Sequence, residues 1–257
     1  MSVVLTEISD RIGIITLNRP EKRNALGPDL IAGLHSAFEA MSANEEVKVI
    51  VLRSTGKAFC AGADLAYLQQ LQDFSYEENL ADSRRLMELF RLIYCLPKVV
   101  IAEIQGHALA GGCGLATVCD FAFAVPEALF GYTEVRIGFV PSLVSVFLTE
   151  QIGYAKTQEL LLSGEFISSA KAAELGLITK VEAAEFLRES VQEFATKLVT
   201  QNSAFSMSKT KTLLRQLNEN ERNKSLDLAA ETNANARAHE DCKKGIAAFL
   251  SKTSPDW

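Results

Sequence analysis

A glycine-rich turn set between an apolar strand and a helix constrains this chain more than any other feature. Val99-Val100-Ile101-Ala102-Glu103-Ile104 reads as a buried strand, and Gly106-His107-Ala108-Leu109-Ala110-Gly111-Gly112-Cys113-Gly114-Leu115 follows it. Leu115, Ala116 and Val118 then open a helix. Strand, tight turn and helix in this order belong to an α/β fold. Such a turn exposes unpaired backbone N–H groups and the positive end of a helix dipole, so it is suited to holding negative charge. That charge is either a phosphate or an oxyanion that exists only during a reaction.

The rest of the chain supports one substantial core: 257 residues, 48% of them hydrophobic, with no low-complexity tract. The net charge of −6 argues against general nucleic-acid binding, which needs clustered base to neutralise phosphates. Five scattered cysteines (Cys60, Cys95, Cys113, Cys119, Cys242) lack paired spacing, as expected for buried thiols in a reducing compartment rather than a disulfide frame or zinc site. The first residues have no basic segment ahead of an apolar one, and no apolar run approaches membrane-spanning length. A soluble, cytoplasmic protein is expected, with no membrane partner and no metal.

Strand-like and helix-like segments alternate through the first half. Ile12 to Leu17 is a β-branched strand ending at Asn18-Arg19-Pro20, and helical spacing of Leu30, Ile31, Leu34, Phe38 and Met41 predicts a helix over 28–42 entered at Pro28. Further strands are predicted over 47–52 and 121–125, with a helix closed by Pro97 between them and another over 111–118. Residues 67–75 show no clear period and read as a loop or an irregular helical stretch. From Ser142 onward the chain reads as helical, punctuated by Gly153, Gly164 and Gly176 at helix ends. The pattern is repeated β-β-α-like units over 1–200 followed by a helical region over 201–257, without a linker that would make the latter an independent domain.

A second small-residue turn, Phe59-Cys60-Ala61-Gly62-Ala63-Asp64-Leu65, follows its own strand. Side chains this small permit tight strand–helix packing, and they also let a ligand approach the backbone closely. Two such turns on neighbouring strands are placed to aim two N–H groups at one oxygen, the arrangement of an oxyanion hole. Neither the Gly-x-x-x-x-Gly-Lys phosphate loop nor Gly-x-Gly-x-x-Gly occurs, which argues against nucleotide hydrolysis and dinucleotide binding. The third element is Glu134, in Phe130-Gly131-Tyr132-Thr133-Glu134-Val135-Arg136-Ile137-Gly138-Phe139-Val140-Pro141. It is either an ion-pair partner for Arg136 or a desolvated carboxyl with a raised pKa, suited to proton transfer near neutrality. His35, His107 and His239 read as packing or solvated residues, with His107 near enough to the glycine turn to line a pocket.

Together these blocks resemble the crotonase superfamily, the enoyl-CoA hydratase/isomerase family, over nearly the whole chain. The resemblance begins at Leu17-Asn18-Arg19-Pro20-Glu21-Lys22-Arg23-Asn24-Ala25-Leu26 and runs through both turns to Gly245-Ile246-Ala247-Ala248-Phe249-Leu250-Ser251-Lys252. It implies an α/β spiral of β-β-α units with a helical C-terminal oligomerisation region. It further implies that the N–H groups of Ala63 and Gly111 polarise the thioester carbonyl of an acyl-CoA, while Glu134 moves a proton at the acyl chain. Arg23, Ala25, Ala61, Gly62, Asp64 and Leu65 fall where the family contacts CoA. Phe249 and Lys252 resemble C-terminal CoA contacts often supplied by a neighbouring subunit of a homotrimer or dimer of trimers. No cofactor is implied, because CoA arrives as part of the substrate.

The chain departs from the family at one position: two-carboxylate hydratases carry a Glu where this chain has Gly114. A single carboxylate suits double-bond migration in a 3,2-enoyl-CoA. The segment after Glu134 and the chain end instead resemble hydratases of branched or carboxylated enoyl-CoAs such as methylglutaconyl-CoA. Hydration of a 2-enoyl-CoA is the favoured expectation. Isomerisation and a non-catalytic CoA-binding subunit are the alternatives. Tyr67, Tyr76 and Tyr132 are candidate helpers for the missing Glu. Residues 66–82 and 139–147 are expected to wall the acyl pocket, with Phe74, Tyr76, Phe139 and Phe147 in its lining.

Overall fold

The computed structural model describes residues 2–257. Its first hairpin pairs β1 (Val4–Ser9) with β2 (Ile12–Leu17) through Asp10 and Arg11, at φ 50° and 65°. Positive φ at both central residues gives the turn the twist that adjoining antiparallel strands require. The helix α1 (Pro28–Ala43) follows, burying Leu30, Leu34, Phe38 and Met41 on one face. Next come β3 (Val49–Ser54), α2 (Leu65–Leu71) and α3 (Tyr76–Cys95). Helix α3 starts at a reciprocal cap in which Ser75 Oγ accepts from Glu78 N–H and the Glu78 carboxylate accepts from Ser75 N–H.

The central stretch comprises β4 (Val99–Ile104), β5 (Ala108–Leu109), α4 (Gly111–Thr117), β6 (Phe121–Ala124) and β7 (Leu129–Gly131). After a single 3-10 turn over Glu134–Ile137 come α5 (Ser142–Ile152), α6 (Tyr154–Ser163), β8 (Ile167–Ser168), α7 (Ser169–Leu175) and β9 (Lys180–Val181). Four helices complete the chain: α8 (Leu187–Gln201), α9 (Ala204–Gln216), α10 (Glu219–Ala238) and α11 (Glu240–Ser251).

The main sheet has the order β1-β2-β3-β4-β6-β9, parallel from β2 onward. Strands β2 and β4 are buried along their whole length, because helices pack over the sheet; α8 crosses β2, β3, β4 and β6. A second, smaller layer is built from β5, β7 and β8 and prolonged by single bridges between Cys60 and Ala108 and between Leu26 and Ala63. The chain thus repeats one unit: a long strand in the main sheet, a short extended stretch in the second layer, then a helix. This is the α/β spiral of β-β-α units expected from the sequence. Phe38, Phe59, Phe90, Phe130, Tyr132 and Phe147 fill the core without exposure.

Two local expectations change. Residues 65–71 form a regular helix, since Asp64 caps it and Tyr67, Leu68 and Leu71 are buried, while the intervening glutamines mask the period. The strand expected over 47–52 runs from Val49 to Ser54, and the brief strands β5, β7, β8 and β9 escape a periodicity argument because two or three residues carry none. The glycines at 153, 164 and 176 do end α5, α6 and α7.

Helix α10 packs against α3 and α5, and α11 packs against the Glu134–Ile137 turn. Helix α9 is tied to the sheet by Lys211, whose Nζ lies 2.7 Å from Asp120 Oδ2 at 6% side-chain exposure. The apolar side chains of Phe205, Leu213, Leu214 and Leu217 on and just beyond α9 are exposed. Among the described residues no helix is long and apolar enough to cross a membrane.

Candidate active site

The two glycine turns meet. Cys60 accepts from Leu109 N–H (3.0 Å), and both Phe59 and Cys60 donate to the His107 carbonyl (3.1 and 3.2 Å). Contact this close requires glycine at two positions. A methyl group on Gly112 would lie 2.2 Å from the Cys60 carbonyl oxygen, and one on Gly62 (φ 92°) would lie 2.9 Å from Ala110 Cβ.

The same geometry frees one N–H from each turn. Leu26 donates to the Gly62 carbonyl (2.7 Å) and accepts from Asp64 N–H (2.8 Å), so these bonds engage the residues flanking Ala63. In a parallel ladder the intervening residue directs its own N–H away from that partner strand, and Ala63 N–H makes no bond among the described residues. Gly111 is the first residue of α4, and its N–H is likewise unpaired, whereas Gly114 N–H closes the first helical bond on Ala110 (3.0 Å). Ala110 itself is held at φ 50° and ψ −125°, an unfavourable conformation for alanine, by its N–H on the Gly131 carbonyl (2.7 Å).

Glu134 enters from the 3-10 turn after β7. That turn is anchored on α4 by the fully buried Tyr132, whose hydroxyl lies 2.6 Å from Thr117 Oγ1. It closes on Gly138 (φ 71°), where a methyl group would lie 2.4 Å from the Asp241 carbonyl oxygen of α11. Glu134 makes no ion pair with Arg136, whose guanidinium sits over Phe166 instead. Its Oε2 is buried without a hydrogen-bond partner among the described residues, and desolvation pushes the carboxyl from an ordinary 4.5 up to about 7. It is therefore poised to take up or release a proton near neutral pH.

Ala61, Ala63, Gly111, Glu134 and Phe249 all line one cavity of about 150 Å³. Its apolar walls come from Leu26, Leu68, Leu71, Leu86, Phe90, Phe139 and Leu143. Phe249 reaches it from α11 of the same chain. The other candidates lie outside the lining. Arg23 is exposed beside the Ala61 turn, its carbonyl accepting from Ala61 N–H (3.1 Å), and Leu65 is exposed on the first turn of α2. Ala25 is buried and Gly62 serves the contact between turns. Both Asp64 oxygens are engaged within the chain, one by Ala66 N–H (2.9 Å) and one by Arg19 (2.9 Å). Lys252 ends α11 in an exposed left-handed position.

Of the residues weighed as substitutes for the missing Glu, Tyr67 alone lines the cavity; Tyr76 and Tyr132 do not, nor do Phe74 and Phe147. His107 is exposed, its Nδ1 accepting from Leu129 N–H (3.1 Å). Cys60 and Cys113 are buried thiols whose pKa burial raises to about 12, so they pack rather than react. The space beside Gly114 is taken: a methyl group there would lie 2.6 Å from Val144 Cγ1 and 2.9 Å from Phe90 Cζ.

The sequence reading missed a polar group at the same cavity. Asp82 of α3 and Asn233 and Arg237 of α10 line it together with Tyr67 and Ser142. Arg237 Nη1 donates to Asp82 Oδ2 (2.6 Å), and the Tyr67 hydroxyl donates to Asp82 Oδ1. Burial and this bond raise the Tyr67 hydroxyl above its ordinary range. Only helix packing brings positions so distant in sequence together. The one signal in the sequence is that charged residues recur on otherwise apolar faces.

Comparison with known proteins agrees with this geometry. The family model described as Enoyl-CoA hydratase/isomerase matches residues 7–257. A putative enoyl-CoA hydratase of Thermus thermophilus is 39% identical over 244 residues, covering 95% of this chain and 96% of the relative. The 2,3-dehydroadipyl-CoA hydratase of Escherichia coli is 31% identical over 258 residues, covering 100% of this chain and 99% of that protein. The crystal structure of an enoyl-CoA hydratase from Bacillus halodurans superposes with a TM-score of 0.90 at 30% identity, covering 96% of this chain and all of that one. With Ala63, Gly111 and the buried carboxyl of Glu134 lining one cavity on this fold, and the family model matching residues 7–257, the chain belongs to the enoyl-CoA hydratase/isomerase family, the crotonase superfamily.

Proposed function

We propose that this protein hydrates a 2-enoyl-CoA, with a short, branched or carboxylated acyl group. The observation that carries the reading is the single unpartnered carboxyl of Glu134 in the cavity lined by Ala63 and Gly111. The thioester oxygen accepts from the two free N–H groups, which stabilise the negative charge that develops there; each such donor contributes roughly 3–4 kcal/mol in comparable sites. Ionised Glu134 takes a proton from water as the hydroxyl adds to C3 of the acyl chain, and the electron pair of the double bond moves to the thioester oxygen. Glu134 then returns the proton to C2, so that one water is added across the double bond. The relatives named as hydratases support this direction.

Isomerisation is the second reading, and the space beside Gly114 favours it: Val144 and Phe90 occupy that space, so Glu134 works without a second carboxylate there. A panel of 2-enoyl- and 3-enoyl-CoAs in heavy-oxygen water separates the two. Label at C3 of the product supports hydration, and double-bond migration without label overturns it. Full turnover by Glu134→Gln removes the proposed role of that carboxyl. Tight CoA binding without turnover of any acyl group would make the chain a CoA-binding subunit instead.

The exposed apolar residues Phe205, Leu213, Leu214 and Leu217 support a homotrimer or dimer of trimers, which sedimentation would measure. The acidic net charge argues against a nucleic-acid partner. A cytoplasmic location and the absence of any cofactor beyond the CoA of the substrate complete this reading.

A further inference from the structure

Five buried side-chain polar atoms lack a hydrogen-bond partner among the described residues, and three belong to residues lining the active-site cavity: Glu134 Oε2, Ser142 Oγ and Arg237 Nε. Glu134 has its role in the chemistry. The other two have none, and both are donors. Buried donors are ordinarily paired, so two left unpartnered in residues that line one cavity point to an accepting ligand that reaches them when it binds.

Arg237 is the stronger of the two. Its side chain is 8% exposed, comes from α10 and reaches the cavity beside Phe139, with the guanidinium 5.8 Å from that ring's centroid. One nitrogen, Nη1, makes all of its hydrogen bonds, to Asp82 Oδ2 (2.6 Å) and Asn79 Oδ1 (3.4 Å). Nε, which is buried, and Nη2 make none among the described residues. They form the other edge of the guanidinium fork, whose two parallel N–H groups match the two oxygens of a carboxylate. Asp82 is itself held by Tyr67, so it positions the arginine.

We propose that Arg237 and Ser142 form a subsite for an acyl group whose far end carries a carboxylate, so that the enzyme selects carboxylated enoyl-CoAs over apolar ones of equal length. This rests on the reading of the cavity as an acyl-CoA site. An apolar chain end would cover the Arg237–Asp82 pair without satisfying it, a desolvation without compensation. A phosphate of CoA offers similar chemistry, and binding of free CoA distinguishes it from an acyl carboxylate.

The test is calorimetric binding of glutaryl-CoA, pentanoyl-CoA and free CoA to the full-length protein. The first two share chain length and differ in the terminal carboxylate, and neither can be hydrated. Glutaryl-CoA is expected to bind roughly tenfold or more tightly than pentanoyl-CoA, the scale of one charge-assisted bidentate pair. The double variant Asp82→Asn/Arg237→Met removes both charges and leaves neither alone in the interior. It is expected to lose that preference, with pentanoyl-CoA bound at least as tightly as by the wild type because the desolvation cost is gone, and free CoA affinity within about twofold.

Equal binding of the two acyl-CoAs by the wild type overturns the subsite, and so does a preference that survives in the double variant. The wild-type comparison decides the matter even if the variant does not fold. Free CoA binding that falls with the double variant would assign Arg237 to a phosphate and overturn the proposal. Because no turnover is needed, a selective protein that hydrates nothing would refute the proposed reaction and leave the subsite standing. Unselective binding with normal hydration would do the reverse.

Discussion

Replacing Glu134 by glutamine tests the site through stability, independently of any substrate. In the folded protein burial raises this carboxyl from 4.5 to about 7. An unfolded chain ionises glutamate near pH 4.3. Below that value both states hold the proton, and the stability associated with the neutral carboxyl is fully present. As pH rises further, the unfolded state has lost its proton while the native state keeps it, so stability falls by about 1.4 kcal/mol per pH unit. The fall ends where the folded group ionises, near pH 7, after a total of about 4 kcal/mol.

A glutamine at this position has no such titration. The stability of Glu134→Gln minus that of the wild type should therefore rise by about 3 kcal/mol as pH increases from 4.5 to 7, and then level off. Urea unfolding of both proteins at matched concentration, followed by circular dichroism at several pH values, measures the difference directly. Parallel stability curves between about pH 5 and 8 would refute the argument, because they would mean that Glu134 is solvated or paired when folded. The same ionisation governs catalysis. The proposed mechanism uses the carboxylate, so kcat/KM should rise with pH through about 7 and the glutamine variant should lose it.

Three further outcomes follow from packing. Gly112→Ala places a methyl group 2.2 Å from the Cys60 carbonyl oxygen, a backbone atom that moves only if the two turns part; kcat should fall about a hundredfold while the far-ultraviolet spectrum stays native. Gly114→Glu does not restore a second carboxylate, because Val144 and Phe90 fill the site; it should lower stability by at least 1–3 kcal/mol (roughly the cost of overpacking) without raising hydration, and a stable, faster enzyme would contradict this. Asp120→Ala strands Lys211, whose ammonium is already disfavoured by burial, and should cost about 3–5 kcal/mol in urea denaturation.

Much of the α/β layout was legible in the sequence because long elements carry their own periodicity. The apolar runs at 12–17 and 99–104, the stripe from Leu30 to Met41 and the glycines ending α5 to α7 fix strands, helices and boundaries locally. Helix α2 was obscured because the glutamines interleaved with Leu68 and Leu71 mask a short period. The second-layer strands are too short to show one. The need for small residues at Gly62 and Gly112 was visible, whereas the backbone atoms they make room for were not.

Sequence alone therefore determined which residues form turns with free N–H groups, and that a glutamate stands in apolar surroundings. The tertiary structure decided what those features face. Parallel pairing of Leu26 with Ala63 turns one N–H outward, and contact between Gly62 and Ala110 sets the second turn beside it. Burial raised the pKa of Glu134, and packing of α3 against α10 carried Asp82 and Arg237 into the same cavity. Periodicity and turn chemistry act over a few neighbouring residues. Desolvation and the pairing of distant charges depend on which surfaces meet, and only the folded chain brings them together.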